Sequence, residues 1–122
     1  MKTFLIAIMI LASTMVSFSQ ETTSNAKNDF FVVLYTIGEN WDTTKQTHEQ
    51  LYFKEHSTHL SELRKTKKIS IGGRYSDTGM LLLKAKDKAE AQNLITNDIA
   101  IKNKIFKVEI FSFDPFYEGC VE

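Results

Sequence analysis

The segment KEHSTHLSEL, Lys54–Leu63, holds two of the chain's three histidines within one run of helical periodicity. His56 follows Phe53 by three residues and precedes Leu60 by four and Leu63 by seven, so it shares the apolar face of the helix. Imidazole is the side chain that titrates nearest neutral pH, which suits it to general acid and base work. On an apolar face its nitrogens need partners. His56 is therefore either a core histidine with its hydrogen bonds satisfied or a proton-transfer residue. His56 and His59, with Glu55 and Glu62 nearby, also raise a metal site, but such a site takes three or four ligands in fixed geometry. No spacing supplies the third, since His48 lies two helical turns away, and no metal is expected.

Other reactive groups are sparse. Cys120 is the only cysteine, so an internal disulfide is impossible, and no histidine or basic residue beside it would lower its pKa. It reads as a free thiol, with pairing to another chain left open. Gly72–Gly73 lacks the lysine and the helix start of a phosphate loop. No redox cofactor motif accompanies it, and no cofactor is expected. No serine nucleophile is marked by spacing, and Ser57 and Ser70 stay open for that role.

The elements that must position these groups begin after an export signal. Lys2 precedes the apolar run FLIAIMILA, Phe4–Ala12, and then STMVSFSQ, which together read as a secretory signal peptide over residues 1–19. The run is too short for a membrane span, which needs about 20 apolar residues. Ser17 and Ser19 are small enough for the peptidase, so cleavage after Ser19 is expected. The product would be periplasmic or secreted in a bacterial cell. Residues 20–28 (QETTSNAKN) are polar and without period, and read as a flexible leader. Residues 29–122 form one small domain. The full chain has 15 basic and 15 acidic residues, and loss of Lys2 leaves one net negative charge. That balance gives no electrostatic basis for nucleic acid or, after cleavage, for a membrane surface. The cluster RKTKK, Arg64–Lys68, falls where cations complement the end of the first helix.

FFVVLYTI, Phe30–Ile37, reads as a strand ending at Gly38. Asp42, Thr43 or Thr44 then caps a helix running to about Thr66. KISIGGR, Lys68–Arg74, and GMLLLKAK, Gly79–Lys86, form a hairpin around Ser76, Asp77 and Gly79. Asp87 caps a second helix with Ala91, Leu94 and Ile95 on one face, and a last strand spans Lys104–Phe113. The order βαββαβ is the ferredoxin-like arrangement, α+β with a four-stranded antiparallel sheet. Two helices cover one face of such a sheet, yet Phe30–Tyr35 and Met80–Leu83 are apolar without interruption. In the last strand Phe106, Val108 and Ile110 define one face, and Ile105, Phe111 and Phe113 add apolar weight to the other. A second copy of the sheet is the simplest cover, so a homodimer is expected.

With these elements in order, Phe30–Tyr117 resembles the YciI-like (YCII-related) proteins. The resemblance rests on a first strand running into GENW, Gly38–Trp41, then His56, then IGGR, Ile71–Arg74. GMLLLKAKDKAEAQ, Gly79–Gln92, and NDIAIKNKIFKVEIFSF, Asn97–Phe113, complete the set. It implies a ferredoxin-like protomer pairing into a dimeric α/β barrel. It also implies a catalytic pair: a first-helix histidine, matched by interval to the glycine pair as His56, and an aspartate after the second helix, matched as Asp98. The family's aspartate is commonly followed by proline, where this chain has Ile99. An aspartate on one ring nitrogen would fix the tautomer and leave the other free to exchange a proton with a ligand. The expected chemistry is isomerisation, lyase-type elimination or hydrolysis of a small organic molecule. The rival is a module that binds a small ligand without altering it, or serves only to dimerise.

Overall fold

The computed structural model describes residues 29–117 and Gly119. The signal peptide and leader expected over residues 1–28, and Cys120, lie outside the described residues. Among the described residues no helix is long and apolar enough to cross a membrane.

The chain is α+β. Strands β1 (Asp29–Ile37), β2 (Ile69–Tyr75), β3 (Thr78–Ala85) and β4 (Phe106–Phe113) form one sheet in the order β2-β3-β1-β4. All three pairings are antiparallel, an arrangement compatible with a ferredoxin-like fold. Helices α1 (Phe53–Lys65), α2 (Lys88–Thr96) and the single turn α3 (Ile99–Lys102) connect the strands. Val33 sits opposite Leu81 on β3 and Ile110 on β4, so those three side chains share a face. That face, with Phe31, Tyr35 and Leu83, packs against Leu63 of α1 and Ala91 and Ile95 of α2 to make the core. Each large apolar side chain removed from water here contributes about 1.5–3 kcal/mol.

The opposite face is also apolar. Val32, Leu82 and Phe111 stand in one row across three strands, and Phe30 and Phe113 in another. Val32 and Leu82 are half-buried by their neighbours, whereas Phe111 keeps 51% of its surface exposed and Phe113 37%. Ile105 does not join this face: it precedes β4, donates its amide to the Ala100 carbonyl, and is 3% exposed.

The first helix begins later than its capping residues suggest. Asp42 accepts from both the amide and the hydroxyl of Thr44 and so closes a turn instead of a helix. Gln50 then holds that turn with two bonds to one residue, accepting the Asp42 amide at 2.9 Å and donating to its carbonyl at 2.7 Å. A 3₁₀ turn at Thr47–Glu49 follows, with Gln46 and Glu49 as its capping pair. Tyr52 adopts left-handed backbone (φ 64°), and the helix starts at Phe53. Asp87 does cap α2, accepting the Glu90 amide at 2.8 Å. The turn α3 has no signature in the periodicity, because four residues carry no repeat.

Candidate functional site

His56 lies in the first turn of α1, its amide bonded to the Tyr52 carbonyl at 2.9 Å. The left-handed Tyr52 sets where that turn begins and so which residue faces the sheet. His56 is one of the two buried residues of α1, with Leu63 two turns further on. Asp98 comes from the corner between α2 and α3. Its Oδ1 accepts the Ala100 amide at 2.9 Å as the N-cap of α3, and Ile99 takes the first helical position, where a proline is also accommodated. This cap aims the remaining oxygen, Oδ2, at α1, where His56 Nδ1 donates to it.

A carboxylate can only accept, so the proton on this bond belongs to Nδ1. In the neutral ring the base nitrogen is then Nε2, which makes no hydrogen bond among the described residues. Asp98 is 1% exposed. Burial alone would raise its carboxyl pKa, but the His56 hydrogen bond and charge, the Ala100 amide and more distant His59 outweigh it, and the net shift is downward. Asp98 therefore stays ionised beside the ring.

His59 takes a different task. Its Nε2 donates to the Leu94 carbonyl at 2.8 Å, which ties α1 to α2. The two histidines thus point their nitrogens at separate partners. Among the described residues no group of three or more histidine, cysteine or carboxylate side chains is placed to hold a metal ion.

An apolar, largely aromatic shell surrounds His56. The Phe106 ring lies 4.6 Å away between centroids and the Tyr35 ring 5.5 Å away, edge-on. Trp41 stands 5.5 Å behind Phe106. These four residues, with Phe53 and Leu60, line an open cavity of about 280 Å³ between α1 and the sheet. Arg74, from the far end of β2, lines it as well. Tyr35 is 7% exposed, and its hydroxyl finds no hydrogen-bond partner. Burial, and then the negative charge of Asp98, push that hydroxyl well above the ordinary phenol range.

The structure brings His56 and Asp98 together across 42 positions of sequence. It adds Tyr35, Phe106, Trp41 and Arg74, to which the sequence assigns no site role although Trp41 and Arg74 end the GENW and IGGR motifs. Strand parity could have found Tyr35, since it shares its face with Phe31 and Val33. No family model, curated protein or solved structure matches the chain.

Proposed function

We propose that the protein is an exported YciI-like protein that transfers a proton to or from a small organic molecule. His56 Nε2 would act as the exchanging base and Asp98 would hold the ring. The observation that carries the reading is the placement of a buried, charged aspartate on Nδ1 of a histidine that forms the wall of an apolar cavity. A purely structural histidine gains nothing from a cavity beside its second nitrogen. The volume is slightly below the range of about 300–1,000 Å³ usual for ligand sites, which suits a compound of one or two rings and not a nucleotide. Isomerisation, elimination and hydrolysis are the reaction classes that a single proton-transfer pair can serve.

The same reading makes the functional unit a homodimer through the apolar sheet face away from the helices. Phe111 and Phe113 leave that face insufficiently covered in one protomer. Pairing two such sheets would give the dimeric α/β barrel of the resemblance. Export with cleavage after Ser19 completes the proposal.

The experiment is a thermal-shift screen of small aromatic and lactone compounds, followed by solvent-deuterium exchange into each compound that binds. Wild type should exchange a carbon-bound proton, and His56→Asn should bind the same compound while exchanging it about 10²–10⁴-fold more slowly. Binding with no exchange by wild type would favour the alternative, a module that binds a small ligand without changing it.

A further inference from the structure

The hydroxyl of Tyr35 is the described residues' one buried side-chain polar atom without a partner, and it belongs to a residue that lines the cavity. Leaving a hydroxyl buried and unbonded is costly, so this one, covered from solvent on a residue that lines the cavity, is suited to an acceptor atom that a ligand brings as the lining shifts to admit it. Because its pKa is raised, the hydroxyl keeps its proton and can only serve there as donor or neutral acceptor.

A second group stands in the same row of the sheet. Gly79 on β3 pairs with Tyr35 on one side and with Arg74 of β2 on the other. Neighbouring strands are about 4.8 Å apart, so the Arg74 and Tyr35 backbones stand about 10 Å apart with no side chain between them. A methyl group built on Gly79 would lie 3.5 Å from Tyr35 Cβ, in ordinary contact, so close packing does not demand the glycine. Its effect is to leave the floor between the two side chains open. Arg74 makes no ion pair among the described residues. Asp77 lines the same mouth, but it does not come within ion-pair distance of Arg74 and so does not consume the guanidinium charge.

We infer that the cavity takes a small aromatic acid bearing a second acceptor oxygen: Arg74 pairs with the carboxylate, the ring lies over Gly79, and Tyr35 Oη donates to a carbonyl oxygen beside His56. The inference rests on the proton-transfer reading for its chemistry. A carbonyl held by Tyr35 would acidify the carbon next to it, which is the proton His56 Nε2 could take. The oxygen carries the resulting negative charge, and the Tyr35 hydroxyl remains its hydrogen-bond donor. No oxidant or other reactant is needed, because the proton returns from His56 to carbon.

Three probes test it by calorimetric titration: 4-acetylbenzoate, which carries carboxylate, ring and ketone in that order, its methyl ester, which lacks the charge, and 4-ethylbenzoate, which lacks the ketone. 4-Acetylbenzoate should bind wild type about 10-fold more tightly than either, the factor for one charge-assisted or ordinary hydrogen bond. Arg74→Gln should erase the gap between acid and ester and leave the ketone gap, and Tyr35→Phe should do the reverse. Tyr35→Phe should also fold with no loss in denaturation midpoint, since the hydroxyl it removes is unbonded. Equal binding of the three, gaps that survive their variants, or no binding by any probe would overturn the inference. His56→Asn separates the two ideas. If it keeps both gaps and wild type shows no proton exchange, the proton-transfer reading falls alone. If wild type exchanges a compound whose binding ignores Arg74 and Tyr35, this inference falls alone.

Discussion

Asp98 divides its two carboxylate oxygens between Ala100 and His56, capping α3 with one and holding the imidazole with the other. Substitutions should separate these tasks. Asn retains a capping oxygen, so Asp98→Asn should cost about 1.5–3 kcal/mol in urea denaturation, the scale of a bond to a charged group. Asp98→Ala loses the cap as well and leaves a buried ring unpaired, and about 3 kcal/mol is expected.

Acid should remove the Asp98 contribution in a defined window. The folded carboxyl has a pKa below its usual value, so its stabilisation is fully present above the unfolded pKa of about 3.9 and is lost as pH falls through the lower folded value. Asp42 and Glu90 are also lowered, the first chiefly by Thr44 and the second by the Lys86 amide, and titrate in the same sense. Denaturation midpoints of wild type and Asp98→Asn, followed from pH 6 down to about pH 3, isolate the one group. The gap between the two proteins should narrow below about pH 4. A gap independent of pH would mean that Asp98 carries no ionisation-linked stability.

Gly38 should tolerate no side chain. A Cβ there would lie 2.1 Å from the Lys104 carbonyl oxygen, and the Gly38 amide is already bonded to Ile105 at 2.9 Å. Gly38→Ala must force apart the loop after β1 and the entry to β4, at about 2 kcal/mol or more. Gly73→Ala meets open space and should shift the thermal midpoint little.

The proposed dimer depends on the sheet face carrying Val32, Leu82 and Phe111. Light scattering on the chain from residue 20 should give twice the protomer mass at micromolar concentration, and Phe111→Glu should give monomer or aggregate. A stable wild-type monomer would contradict the arrangement.

The parts of this fold that were legible in the sequence are those in which local signals and packing agree. The apolar runs of β1 and β3 are the two central strands, buried on the helix side and half-buried on the other, and Asp87 caps α2 where its position suggests. The region from Asp42 to Tyr52 was misread because the residue types that cap helices also close turns. There Gln50 reaches back to Asp42 and fixes the turn, a contact across eight positions that no local pattern carries. His56 was visible through its spacing on α1, but only the family resemblance pointed to Asp98. Tyr35 was hidden for a further reason. In a run of six apolar or aromatic residues nothing distinguishes a ring that only fills the core from one that also lines a cavity and leaves its buried hydroxyl unbonded.

The central claim is that His56 presents a free base nitrogen to the cavity because Asp98 holds the other. Long-range proton–nitrogen NMR on histidine-labelled protein reads the two ring nitrogens separately. In the neutral ring of wild type, Nδ1 should carry the proton and Nε2 the lone pair, Nε2 should shift when a cavity ligand binds, and Asp98→Asn should abolish the preference. His59 should keep its proton on Nε2 in both proteins, because the Leu94 carbonyl accepts it. A His56 ring protonated on Nε2 with a bare Nδ1, or one that Asp98→Asn leaves unchanged, would contradict the account.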